Sequence, residues 1–227
     1  MTVLLVLGTF LVFIVLDYVM NSRKAIATVP LQAQAAAQAG ALMGPGADYV
    51  NGFHIPENLS YHSGHGWLVR ERKNVVRVGA DEFAAALAGN VEKVELPKPG
   101  QWIRQGQKVL SFYRNGEKTE MVSPTEGEVL EVNAEVLGNP AKLRQDPYGK
   151  GWLLAVHVPD EENTTRNLIP KGLVREWMRE SVERLYAMQP SLAGAVAADG
   201  GRPADDLLAA FPQTNWKAVT GEFFLTA

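Results

Sequence analysis

Between Gly66 and Val158 the chain is a succession of short apolar or alternating runs, each closed by Gly, Pro or Asn. Residues 67–69, 75–78, 91–96, 107–114, 118–122, 127–132 and 152–158 fit strands of this kind, and 81–87 fits one short helical turn. Many short strands with Gly/Pro punctuation predict a sandwich or barrel. The sharpest local signal lies at 106–129, where two such runs flank Asn115-Gly116. That dipeptide supplies positive φ at both central positions of a type I′ turn, which sets Arg114 opposite Glu117 and Tyr113 opposite Lys118.

The period changes at the two ends. Residues 170–188 place Leu173, Val174, Trp177, Met178, Val182, Leu185 and Tyr186 on one helical face. Glu180–Arg184 and Arg179–Glu183 fit i,i+4 pairs on the other side. Pro170 suits the first turn and Pro190 ends the helix. Residues 3–16 are apolar apart from Gly8 and Thr9, and Tyr18, Val19 and Met20 extend the run past Asp17. About 18 apolar residues is the short end of what spans a hydrocarbon core of ~30 Å. No Lys or Arg precedes the run while Arg23 and Lys24 follow it, which predicts an uncleaved anchor with the globular part in the cytoplasm. A cleaved signal near Ala25-Ile26-Ala27, releasing an extracytoplasmic domain, is the rival reading. The predicted organisation is an anchor at 1–24, an Ala/Gln/Gly-rich linker at 25–50, a domain at 51–190 and an extension at 191–227. Within the linker 31–42 has the alanines of a short helix but little apolar periodicity, so a tether is the plainer assignment, and within the extension 205–211 fits a short helix.

Composition narrows the chemistry. A net charge of -3 over 227 residues gives no electrostatic footprint for nucleic acid. With no cysteine there is no disulfide, thiolate nucleophile or cysteine-based metal site. Of the four histidines, His62 and His65 lie three apart around Gly64, which does not suit a helical metal pair, and His65 reads as a packed ring beside Trp67. Asp160, Glu161 and Glu162 read as a solvated loop. No nucleophile elbow, phosphate loop or dinucleotide fingerprint occurs, so neither a catalytic nor a metal residue is assigned.

Several blocks in order resemble the H protein of the glycine cleavage system over roughly residues 61–190. They are Tyr61 with His65-Gly66-Trp67, Val78-Gly79 with Phe83 and Ala84, Val94-Glu95-Leu96-Pro97 with Gly100, Ser123-Pro124 with Gly127-Glu128-Val129, Glu131-Val132-Asn133, and Asp146-Pro147-Tyr148-Gly149 with Gly151-Trp152-Leu153. The resemblance implies a mainly β barrel-sandwich hybrid of lipoyl-domain type, with a C-terminal helix packed on it. It also implies a lipoylated lysine at the hairpin, about seven positions before the Ser of the Ser-Pro turn. Counting back from Ser123 reaches Gly116, and the nearest lysine, Lys118, falls in the returning strand.

The reading that follows is a non-catalytic, membrane-anchored docking or accessory subunit, single-pass in the inner membrane, without a covalent cofactor. Its protein partner belongs to a membrane-associated redox or metabolic complex. The interaction residues expected are Arg114, Asn115, Gly116, Glu117 and Lys118 at the hairpin, and Trp216, Phe223 and Phe224 in the aromatic tail. Those tail rings need cover from the domain's own flank, another subunit or the membrane. The alternative is a lipoyl carrier using Lys118.

Overall fold

The computed structural model describes residues 48–188, 204, 206–209 and 214–226. The expected anchor at 1–24, the stretch 31–42 weighed as tether or short helix, and part of the extension lie outside these residues. Among the described residues no helix is long and apolar enough to cross a membrane.

Among the described residues eleven strands form three antiparallel sheets. A hairpin of β1 (Tyr49–Val50) and β2 (Phe53–His54) comes first, with β1 inside the stretch read as linker. The six-stranded sheet runs β3-β4-β5-β11-β10-β7, built from Ser60–Tyr61, Gly66–Arg72, Val75–Ala80, Leu154–His157, Gly127–Val132 and Trp102–Ile103. The three-stranded sheet runs β6-β8-β9, from Lys93–Glu95, Lys108–Arg114 and Glu117–Val122. Each predicted strand of the central region is present, with ends moved by at most three residues.

Alternation explains the core between the sheets. Leu110 and Phe112 of β8, Thr119 and Met121 of β9, and Val129 of β10 point inward and are buried, while Lys108, Lys118 and Glu128 point out. Trp67 is wholly buried, and its indole N–H donates to the Ala80 (2.9 Å) and Pro147 (3.2 Å) carbonyls. An indole at this depth needs such a partner. Helix α1 (Glu82–Ala88) is capped by Asp81, whose carboxylate accepts the Ala84 N–H at 2.7 Å.

Two short helices, α2 (Ala134–Gly138) and α3 (Lys142–Gln145), lie between β10 and β11. The acidic run expected as a solvated loop instead opens α4 (Glu161–Arg166), because the Asp160 side chain accepts the Glu162 N–H. The long helix starts later than the pattern suggests. Pro170 is extended (ψ 134°), a 3-10 turn covers Lys171–Leu173, and α5 runs Val174–Met188. Leu173 therefore leaves the apolar face and is 57 % exposed. The two expected i,i+4 pairs are replaced: Arg179 pairs with Glu176, and Arg184 reaches Glu222 at 3.7 Å and lies over the Phe223 ring. An i,i+4 pair contributes only about 0.2–0.5 kcal/mol, so a cation–π contact displaces it readily.

The extension packs on the domain. Helix α6 (Trp216–Phe223) is capped by Asn215 and rests on β9, where the Thr220 and Thr119 hydroxyls meet at 2.7 Å. Val122 N–H donates to the Phe224 carbonyl and the Thr226 hydroxyl to the Glu120 carbonyl, which covers part of the outer edge of β9. Where a helix was expected at 205–211, residues 206–209 form a turn.

Candidate functional site

The hairpin β8–β9 has the register its sequence dictates, Arg114 opposite Glu117 and Tyr113 opposite Lys118. Asn115 (φ 51°) and Gly116 (φ 78°) are both left-handed, as a type I′ turn requires, and a Cβ at Gly116 would meet nothing within 4 Å. The apex is an open backbone bend. Asn115 N–H donates to Glu92 Oε1 at 3.1 Å, which ties the turn to the strand beside it.

Lys118 stands two residues past the bend, its side chain 43 % exposed and paired with Glu120 at 2.9 Å. Its hydrogen bond to Glu120 raises the ammonium pKa and keeps the amine charged. Across the same face Tyr113 donates to Glu95 Oε2 (2.5 Å), and Lys93 pairs with Glu95 (2.6 Å) while lying over the Tyr113 ring. Lys93 and then Tyr113 hold the Glu95 carboxyl below its ordinary range. The exposed face of this sheet is thus a ladder of alternating charge.

Arg114 is an exception within the expected interaction set. Its guanidinium turns inward, 13 % exposed, and pairs at 3.1 Å with Asp206, itself 7 % exposed. The same carboxylate accepts the N–H of Asn90 (3.1 Å) and of Leu208 (3.2 Å). Asp206 thus joins the end of α1, the shoulder of the hairpin and the extension. Asn115, Gly116, Glu117 and Lys118 remain at the surface.

Trp216, Phe223 and Phe224 do not form an exposed docking face. Their exposures are 6 %, 0 % and 0 %. Phe223 meets Phe83 edge-on, Phe224 meets Phe112, and the Trp216 indole donates to the Ala88 carbonyl at 3.2 Å. The cover comes from the domain's own flank, because the inner faces of α1 and β8–β9 leave an apolar surface that these rings fill. Asp206 escaped the sequence reading because nothing local marks a carboxylate whose partner lies 92 residues away.

His65 is wholly buried, its Nδ1 2.8 Å from Asp81 Oδ2 and its ring stacked on Phe83 at 4.4 Å. Among the described residues no group of three His, Asp or Glu is placed to hold a metal ion. Tyr61 and Tyr148 close this end of the core, donating to the Pro56 (3.1 Å) and His54 (2.6 Å) carbonyls. Burial pushes both hydroxyls well above their ordinary pKa, with the Asp81 charge adding to it. The folded state keeps both neutral, while the unfolded chain ionises them near about pH 10. Their contribution is therefore complete below that pH and shrinks as pH rises past it. The urea midpoint should be lower at about pH 11 than at about pH 9, and the drop should shrink in Tyr61→Phe.

Two facing antiparallel sheets, a projecting hairpin and helices at the C-terminal end define a mainly β, sandwich-like module of H-protein type. The glycine cleavage H-protein family matches residues 59–181, more than half of the chain, and this chain belongs to that family. It is 38 % identical over 106 residues to the glycine cleavage system H protein of Mycobacterium leprae (strain TN), covering 47 % of this chain and 80 % of that protein. It is 35 % identical over 119 residues to the H protein of Aeromonas hydrophila, covering 52 % and 92 %. The probable H protein 2 of Sulfurisphaera tokodaii is 36 % identical over 116 residues, covering 50 % and 78 %. The crystal structure of an H protein from Mycobacterium marinum aligns with a TM-score of 0.48 at 26 % identity, covering 56 % of this chain and 99 % of that one. Asp206, Trp216 and Phe223 all lie beyond the matched stretch.

Proposed function

We propose that this chain is an H-protein family member whose hairpin is a fixed docking surface, carrying no covalent lipoyl group. It serves as a non-catalytic accessory subunit of a membrane-associated redox or metabolic complex. The apolar run at 3–20 anchors it in the inner membrane with the domain in the cytoplasm. One observation carries the reading: the hairpin apex is the left-handed pair Asn115 and Gly116, without an amine. The grip of Asp206 on Arg114 supports it, since a shoulder tied to the domain suits a static contact.

A second reading rests on the exposure of Lys118. A charged amine near the bend is a candidate for lipoylation, which would make the chain a carrier. The two separate on the intact mass of the chain taken from cells with active lipoylation. The unmodified mass is expected, and a lipoyl adduct mapped to Lys118 would replace the docking reading with the carrier one. Co-purification from detergent should then bring down a protein partner that is lost on Glu117→Lys but kept on Leu137→Ala, an exposed leucine outside the hairpin.

A further inference from the structure

The outward face of the three-stranded sheet is patterned in rows. Across its strands Lys93, Tyr113 and Lys118 stand in one row, and Glu95, Ser111 and Glu120 stand in the next. Both rows lie on the side away from the core, since Val94, Phe112 and Thr119 between them point inward and are buried. All four charged side chains are more than a third exposed. The middle of the first row is an aromatic ring, Tyr113, and the middle of the second is the small Ser111.

Such a pattern is its own complement. A two-fold axis lying in the face, parallel to the rows and midway between them, sets the first row of each copy on the second row of the other. Lys93 then meets the partner's Glu95, Lys118 meets the partner's Glu120, and the Tyr113 ring covers the partner's Ser111, each contact occurring twice. From this match of charge and size we infer that the outward face of β6-β8-β9 is a docking surface for a second copy of this chain. The contact needs no net charge, because the face carries two lysines against two glutamates. Glu92 and Glu117 stand at the tip end, while Lys98, three residues past β6, and Lys108, which opens β8, stand at the other. The same rotation therefore brings opposite signs together at the rims. Lys217 belongs to α6, which packs on the covered side of β9 through Thr119, and Arg114 turns inward to Asp206. Within one copy each lysine is already held by a glutamate, at 2.6 and 2.9 Å, so a second copy extends ordered pairs into a network at little further cost in side-chain freedom. The inference goes beyond the docking reading above and does not rest on it.

Sedimentation equilibrium of the full-length chain in density-matched detergent tests it. The wild type is expected to dimerise at low salt and to lose several-fold in affinity at high salt, since ions screen exposed pairs. Each exposed lysine–glutamate contact changes affinity by up to about fivefold, and the axis supplies four. Lys93→Glu/Lys118→Glu makes both rows acidic, and Glu95→Lys/Glu120→Lys makes both basic. Each variant alone should dimerise at least about tenfold more weakly than wild type, and an equimolar mixture should restore dimers holding one chain of each kind. Arg72→Glu/Lys73→Glu, on the exposed β4–β5 hairpin of the other sheet, should leave dimerisation unchanged. A wild-type chain that stays monomeric at low salt, or a dimer indifferent to salt and to both swaps, overturns the inference. If a double variant fails to fold, Lys118→Glu and Glu120→Lys, singly and mixed, decide on the same pairing. A chain that dimerises this way but captures no protein partner sinks the docking reading alone. One that captures a partner without a salt-sensitive dimer sinks this inference alone.

Discussion

Phe223→Ala is expected to lower stability by about 3–5 kcal/mol, the range for removing a fully buried aromatic ring. For a domain of this size that is a fall in Tm on the order of 10 °C. The ring is held edge-on against Phe83 (5.1 Å) and His65 (6.0 Å), with the Arg184 guanidinium 5.0 Å above it. The cavity left by truncation faces α1 and α5 and cannot collapse without moving both. Leu225→Ala, two residues on, past the end of the helix and 45 % exposed, should change stability by less than about 0.5 kcal/mol. Differential scanning calorimetry of the two variants separates core from docking tail. An unchanged melt for Phe223→Ala, with loss only of partner capture, would return the rings to the interaction surface.

Some of this was legible in the chain and some was not, for physical reasons. The β8–β9 hairpin is written in adjacent residues: Asn115 and Gly116 tolerate positive φ, and the flanking alternation then fixes register. Seven of the nine strands of the two larger sheets follow from the same signal, whereas β3 and β7, two residues each, are too short to show a period. The tail is different. Its aromatic density says only that something must cover it, and the identity of that cover depends on surfaces of α1 and β9 a hundred residues earlier. Leu173 fits a helical period with Val174 and Trp177, but the extended backbone at Pro170 delays the helix and rotates it out. At the hairpin the exposed members, Asn115 to Lys118, follow from the turn. The inward swing of Arg114 does not, because it is decided by a carboxylate in the extension.

That dependence bears on how the hairpin works. A swinging carrier arm needs an apex free to present an amine to several partners in turn. Here the apex amide is bonded to Glu92, the lysine beyond it is paired with Glu120, and the residue before it is tied to the extension. Each contact alone is modest, but they act on both sides of the same two-residue bend. The family fold is kept, and both sides of the bend are tied to their neighbours.

The restraint has a measurable centre, and Asp206→Ala should remove it at a cost of about 3–5 kcal/mol. The loss exceeds that of an ordinary ion pair because the carboxylate also satisfies the Asn90 and Leu208 N–H groups, and because among the described residues the guanidinium left behind keeps only the Ala88 carbonyl at 3.5 Å. Arg114→Met should cost less, since Asp206 retains both backbone donors and the methionine stem still fills the site. In the double variant the two losses should fall short of their sum, by an amount that measures the pair itself. Hydrogen exchange gives the readout specific to the hairpin. Amides of Asn115 to Lys118 should exchange faster in Asp206→Ala than in Leu137→Ala, while those of β4 and β5 change only by the global loss of stability. If the tip amides keep their protection, the extension is a passive cover and the hairpin owes its rigidity to the turn alone.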